Sequence, residues 1–70
     1  MALRKKSFSL SGHRTSVALE AEFWAVLEKE AARRGQSMAA FVSETDKSRG
    51  THALASALRL AALAAASRQS

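Results

Sequence analysis

The sequence contains no cysteine, and this absence removes two ways of stabilising a small domain. Neither a disulfide bond nor a thiolate zinc site can form without cysteine. A chain of 70 residues buries little apolar surface when it folds alone. Oligomerisation is the remaining way to stabilise it, and we therefore expect a homodimer.

The chain also lacks an apolar run of the roughly 18 residues that a membrane-spanning helix requires. Its most apolar part, in the C-terminal third, is interrupted by Arg59. Near the start, the basic residues are followed by the polar stretch Ser7–Gly12 and not by the apolar core of a secretory signal. These features predict a cytoplasmic protein with no membrane partner.

Residue patterns that support catalysis or metal binding are missing as well. The sequence shows no nucleophile paired with a general base, no glycine-rich phosphate loop and no metal-ligand spacing. His13 and His52 have no nearby acidic partners in a clear pattern. Glu20 and Glu22 fit the start of a helix, where carboxylates complement the helix dipole. We predict that the protein is not an enzyme and requires no metal and no cofactor.

Positive charge is concentrated at the start of the chain. The net charge is +5, and residues 1–19 contain four basic residues and no acidic one. Residues 20–48 contain six acidic residues against four basic ones. A concentrated positive charge suits a polyanion such as DNA, RNA or an acidic membrane surface. A basic tail that only keeps the protein soluble would explain the same pattern.

One stretch, from His13 to Leu19, has the pattern of a β-strand. Because strand side chains alternate, it has two faces: Thr15, Val17 and Leu19 on one, and Arg14, Ser16 and Ala18 on the other. A single strand cannot satisfy its own backbone donors and acceptors, and the chain offers no convincing second strand. We therefore predict that the strand pairs with its copy in a second subunit.

Three helices are predicted after the strand. The apolar spacing of residues 21–34 indicates the first, and Gly35 suits the left-handed position at its end. Ser37 can cap a second helix from Met38 to about Asp46, and Thr51 a third from His52 to about Ser67. The third helix is apolar almost all round, so we expect it to be clamped between elements or incompletely ordered.

The segment before the strand has two interpretations. Phe8 and Leu10 alternate with serines, which is consistent with a short extension of the ribbon, with Gly12 at a bulge or bend. Alternatively, the segment is a basic arm that becomes ordered only on a ligand. We divide the chain into a basic N-terminal arm of residues 1–12, a core of residues 13–46 and an Ala/Leu-rich C-terminal helix of residues 51–67.

The order strand, helix, glycine-containing turn, helix between His13 and Glu44 resembles the ribbon-helix-helix superfamily of DNA-binding proteins, the Arc and MetJ class. The run Gly-His-Arg-Thr-Ser-Val from residue 12, with Glu-Ala-Glu-Phe-Trp from residue 20, looks like a bacterial subgroup of small ribbon-helix-helix domains. The resemblance implies a mainly α fold with one short strand. The strands would form a two-stranded antiparallel intersubunit ribbon in an intertwined homodimer, and a third, C-terminal helix would be added.

The resemblance further implies that the paired strands enter the major groove of double-stranded DNA. Arg14, Ser16 and Ala18 would then face the bases, and the Arg14 guanidinium can bond to guanine O6 and N7 together. The expected phosphate contacts are Arg4, Lys5, Lys6, Ser37, Met38 and Ala39. The expected dimer core comprises Val17, Leu19, Phe23, Trp24, Leu27, Phe41 and Val42.

The leading functional hypothesis is a sequence-specific transcriptional regulator, such as a repressor, that associates with the nucleoid when bound to DNA. An antitoxin, whose C-terminal helix holds a partner protein, is a related alternative. A protein-interaction module without DNA function is a third. A helix-turn-helix reading would present Ala39, Ala40, Ser43 and Glu44 to the groove, and these side chains suit base recognition poorly.

Overall fold

The computed structural model describes residues 2–69, and the chain begins with a β-hairpin. Strand β1 spans Leu3–Leu10 and strand β2 spans His13–Glu20. The two strands pair antiparallel within the chain, in a register that runs from Leu3 opposite Glu20 to Leu10 opposite His13. Three helices follow: α1 over Ala21–Arg33, α2 over Met38–Ser48 and α3 over Leu54–Gln69.

The prediction of a single strand is wrong, and so is the reason given for an intersubunit ribbon. Residues 3–10 supply the second strand in the same chain, so β2 does not need a second copy for its hydrogen bonds. The alternation of Phe8 and Leu10 with serines has the period of a strand that buries one face, and both apolar side chains are buried. Of the two interpretations of this segment, the ribbon extension is therefore the one observed, and it pairs within the chain.

Ser11 and Gly12 form the turn of the hairpin. Both have positive φ, 51° for Ser11 and 81° for Gly12. Two positive φ values are the signature of a type I′ turn, whose twist matches that of the flanking strands. Glycine adopts this conformation without steric cost, whereas Ser11 carries a Cβ and is strained in it. Gly12 therefore marks the reversal of the chain.

The signals at helix ends predict α1 and α2 closely. Gly35 has a φ of 69°, and its amide donates to the carbonyl of Ala32 at 3.0 Å, as expected for the residue that ends a helix. The hydroxyl of Ser37 accepts from the amide of Ala40 at 3.1 Å and caps α2. Two boundaries differ from the prediction. The second helix continues to Ser48, and α3 begins at Leu54, so Thr51 does not cap it.

The hydrophobic core lies between one face of the hairpin and the three helices. Trp24 links them: its indole N–H donates to the carbonyl of Arg4 at 2.8 Å, and its ring centre is 6.1 Å from that of Phe8. The fully or almost fully buried members of the core are Phe8, Leu10, Val17, Leu19, Trp24, Leu27, Ala31, Phe41, Val42, Leu58 and Ala62.

The residues expected in a dimer core are already covered within one chain. Phe23 is partly buried, and six of the seven are buried: Val17, Leu19, Trp24, Leu27, Phe41 and Val42. Helix α3 helps to cover them and packs against α1, α2 and β2. It does so by one side only, because Leu58 is fully buried whereas Leu60 and Leu63 are exposed. Within the single chain, the helix is therefore covered on one side and leaves Leu60 and Leu63 exposed on the other.

Candidate nucleic-acid interface

The hairpin has one face against the helices and one face toward solvent. On the solvent side, three cross-strand pairs lie between the turn and the terminal pair of Leu3 with Glu20: Lys5 with Ala18, Ser7 with Ser16, and Ser9 with Arg14. Ala18 is partly buried and the other five residues are exposed. We call these six residues the hairpin outer face. Its composition is polar and basic, as required of a surface that contacts nucleic acid.

The three predicted base-contacting residues share this face. Arg14, Ser16 and Ala18 come from β2, and their common orientation follows from the strand period. The sequence pattern does not single out their neighbours on β1, Ser7 and Ser9, because it leaves open whether this segment extends the ribbon. The signal was the alternation of serine with Phe8 and Leu10. Ser7 Oγ and Ser16 Oγ are hydrogen-bonded at 3.0 Å, so Ser16 is tied to the adjacent strand.

The basic residues Arg4, Lys5 and Lys6 do not form one surface. Strand alternation places Lys5 on the hairpin outer face, and Arg4 and Lys6 on the opposite side. The Lys6 ammonium is 2.8 Å from a carboxylate oxygen of Glu28 and 5.4 Å from the centre of the Trp24 ring. Of the two lysines, Lys6 is therefore already engaged, whereas Lys5 has no partner among residues 2–69.

The start of α2 retains the features expected of a phosphate contact. The hydroxyl of Ser37 is used to cap the helix, where it accepts from the Ala40 amide. The amides of Met38 and Ala39 lie in the first turn, in which N–H groups have no acceptor within the helix. Such groups can bind a phosphate oxygen.

One carboxylate lies at the open end of the hairpin, and its charge is paired. Glu20 is 3.3 Å from the Arg59 guanidinium on α3. A hydrogen bond from its own backbone and the interaction with Arg59 lower the pKa of Glu20 below its usual value. Glu20 therefore stays ionised at neutral pH, but Arg59 offsets its charge, and the exposed charges of Lys5 and Arg14 dominate the hairpin outer face.

Other kinds of site find no matching geometry in the described part of the chain. Among residues 2–69, no group of three histidine or carboxylate side chains lies close enough to hold a metal ion. No helix in the same range is long and apolar enough to cross a membrane. His13 and His52 are both exposed and lie on different elements, the first on β2 and the second in the loop before α3.

A two-stranded ribbon with a basic outer face, followed by two helices joined at a glycine turn, defines the class of β-ribbon DNA-binding domains. The sequence matches the ribbon-helix-helix domain family over residues 3–66, and the chain belongs to this family. This match confirms the resemblance and includes β1 and most of α3. Domains of this family generally bind DNA in transcription regulators or antitoxins, and they are regulatory modules and not enzymes. Comparison with curated proteins and with solved structures gives no match.

Proposed function

We propose that this protein is a sequence-specific transcriptional regulator that inserts its hairpin outer face into the major groove of DNA. The observation that carries the proposal is the division of the hairpin: Phe8, Leu10, Val17 and Leu19 are buried on the side of the helices, whereas the hairpin outer face is polar and almost entirely exposed and carries the cations Lys5 and Arg14. The major groove is about 12 Å wide and admits a two-stranded ribbon. Lys5 and Arg14 lie about 13 Å apart along the ribbon, a distance that spans about four base pairs.

The residues of this face differ in what they can recognise. Arg14 has the best chemistry for base recognition, because its planar guanidinium can donate two hydrogen bonds to guanine. Lys5 is a point charge that suits a phosphate or a guanine at the other end of the face. Ser16 discriminates little, and Ala18 can contact only a thymine methyl group. Sequence preference therefore depends mainly on Arg14, and affinity on phosphate contacts by Lys5 and the start of α2.

The proposal includes a homodimer. The argument for it no longer rests on a strand without a partner in its own chain, but on the edges of the hairpin. The two-stranded sheet leaves one edge of each strand without a backbone partner within residues 2–69. Such edges can pair with another chain. Domains of this family typically dimerise. A two-fold dimer would place two outer faces on an inverted repeat, with half-site spacing set by the dimer.

The test is selection of bound fragments from genomic DNA at physiological salt with excess competitor, followed by sequencing. We expect enrichment of a short repeat by the wild-type protein. Arg14→Ala should remove the preference between sequences, and Lys5→Ala should weaken binding to all of them. Lys6→Ala is the matched control, because it changes the adjacent lysine on the other side and removes an exposed ion pair worth less than about 1 kcal/mol.

Three outcomes would contradict the proposal in whole or in part. If the wild-type protein retains no DNA, the hairpin outer face does not bind it. If Lys6→Ala weakens binding as much as Lys5→Ala, the basic residues act through their general charge. Binding would then not depend on which lysine lies on the hairpin outer face. Retention without sequence preference would support DNA binding but contradict sequence-specific regulation.

A second candidate function is the binding of a protein partner through α3, as in an antitoxin. The observation in its favour is that Leu60 and Leu63 are 51% and 60% exposed on the side of α3 away from the core. Because the opposite side is packed, the partner would dock onto a folded helix. The double substitution Leu60→Ser and Leu63→Ser should abolish copurification of such a partner and leave DNA binding unchanged.

A further inference from the structure

A cavity of about 350 Å³ lies between α2, the loop that follows it and α3. No residue of the hairpin lines it, so it is separate from the hairpin outer face. Its wall combines an apolar part, which includes Phe41 and Leu60, with three arginines and a histidine: Arg34, Arg49, Arg68 and His52. The side chains of the three arginines are each between about a third and a half exposed, so their guanidinium groups are accessible to a ligand in the cavity.

Glu30 fixes two of these arginines. Its side chain is 1% exposed and accepts hydrogen bonds from Arg34 at 2.7 Å and from Arg68 at 3.0 Å. Arg33 is a third donor, also at 2.7 Å, but it does not line the cavity. Hydrogen bonds from Arg33, Arg34 and Arg68 hold the pKa of Glu30 far below its usual range. One carboxylate thus faces three arginines, and the group retains an excess of positive charge.

The arginines keep unused donors. Arg34 binds Glu30 through Nε, and Arg68 binds it through one Nη. Arg49 donates from Nε to Asp46 at 2.8 Å and from Nη1 to the carbonyl of His52 at 2.7 Å. Each guanidinium therefore has at least one nitrogen without a partner in the described part of the chain. The Arg34 guanidinium also lies 5.2 Å from the centre of the Phe41 ring, which places a fixed cation beside an aromatic surface.

We propose that this cavity binds a small organic anion, with its carboxylate or phosphate on Arg34, Arg49 and Arg68 and its apolar body against Phe41 and Leu60. Arginine suits this task because its planar fork donates two parallel hydrogen bonds to a carboxylate or phosphate. Glu30 and Phe41 restrain the guanidinium groups before a ligand arrives, so less conformational entropy is lost on binding. A concave, partly apolar cavity with a few convergent polar groups is the usual form of a small-molecule site.

The test is titration of the full chain with phenyl phosphate, followed by NMR of the Phe41 ring and the Leu60 methyl groups. We expect saturable shifts at both residues. Inorganic phosphate carries only the anionic half of the probe and benzyl alcohol only an aromatic ring with a neutral polar group, and each should bind at least about tenfold more weakly. Absence of saturable shifts, or equal binding of benzyl alcohol, would overturn the proposal.

Variants separate the cavity from a general effect of charge. Arg34→Gln and Arg68→Gln should each weaken phenyl phosphate binding by about tenfold or more. Arg33→Gln is the matched control, because it removes the two hydrogen bonds that the Arg33 guanidinium donates to the same Glu30 without changing the cavity wall, and it should bind as the wild type does. Equal weakening by Arg33→Gln would refute the assignment.

A competition experiment separates a small anion from the phosphates of DNA. A short DNA duplex should shift resonances of the hairpin and leave bound phenyl phosphate in place. Displacement of phenyl phosphate by the duplex would instead identify the cavity as part of the DNA contact surface and overturn the proposal.

Discussion

Replacing Leu58 with alanine tests whether α3 belongs to the core of a single chain. Leu58 is fully buried, whereas Leu60 and Leu63 on the same helix are 51% and 60% exposed. The same substitution at each position has about the same effect on helix propensity. Any difference in stability between the three variants therefore reports burial.

The magnitude follows from the groups removed. Leu58→Ala deletes buried groups worth about 0.8 kcal/mol per carbon, and the remaining cavity adds to the loss. We expect a loss of about 3 kcal/mol, within the range of about 2–5 kcal/mol for buried leucines. Leu60→Ala and Leu63→Ala should each change stability by less than about 0.5 kcal/mol. A domain of this size has about 4–10 kcal/mol in total, so Leu58→Ala removes a large part of it.

The assay is urea unfolding followed by the fluorescence of Trp24, the single tryptophan, which is 3% exposed in the core. The midpoint should fall for Leu58→Ala without a change in the denaturant slope. A negligible effect of Leu58→Ala would show that α3 is not part of the core. An equal loss for Leu63→Ala would show that a second copy or a partner covers the outer side of α3 in solution.

Three further predictions concern the turn, the buried carboxylate and assembly. Ser11→Asn should stabilise the hairpin by up to about 1 kcal/mol, because asparagine tolerates positive φ better than serine; an unchanged urea midpoint would contradict the turn geometry. The folded-state pKa of Glu30 lies below its ordinary value of 4.5, so its ion pairs add stability above that pH and lose it as the pH falls further. Glu30→Gln should therefore lower the urea midpoint at pH 7 and flatten its decline in acid, and an acid decline as steep as that of the wild type would refute this. Because the core closes within one chain, the melting temperature should not change on a hundredfold dilution, and a fall on dilution would show that folding requires a second copy.

Strand β1 is present in the structure but was not predicted from the sequence, and its residues explain why. After Leu3, strand β1 continues with three consecutive basic residues, Arg4 to Lys6, which give little indication of a strand and are typical of a basic arm. Its apolar alternation rests on only two residues, Phe8 and Leu10. The turn is Ser11-Gly12 and lacks the Asn-Gly or Asp-Gly pair that most strongly indicates a two-residue hairpin. Without β1, the need of β2 for a partner pointed to a second subunit.

The helices were predictable where a local signal sets the boundary. Gly35 and Ser37 act through their own backbone or hydroxyl group, so the end of α1 and the start of α2 could be read directly. The start of α3 has no such signal, because Ala53 precedes Leu54 and has no side-chain oxygen to cap a helix. The sequence therefore placed this boundary at the nearest capping residue, Thr51.

The two candidate sites also differ in how much of each a local sequence pattern can predict. Arg14, Ser16 and Ala18 share a face because of the strand period alone, so the sequence sufficed to group them. Assigning Lys5 and Lys6 to opposite sides requires the register of β1 against β2, which only the folded chain defines. The cavity is still less local, since Arg34, Arg49 and Arg68 come from three separate segments and meet through packing around Phe41 and the buried Glu30.

The ribbon and the core both form within one chain, and this affects how dimerisation is coupled to DNA binding. When an intersubunit ribbon forms the core, folding and dimerisation are one step, and every folded molecule is already a dimer. Here β1 pairs with β2, and α3 buries Leu58 against the same chain. We therefore expect dimerisation to occur as a separate equilibrium that two adjacent half-sites on DNA favour. Binding to an inverted repeat should then be cooperative in protein concentration, whereas binding to one half-site should not, and a simple hyperbolic isotherm on the repeat would contradict this order of events.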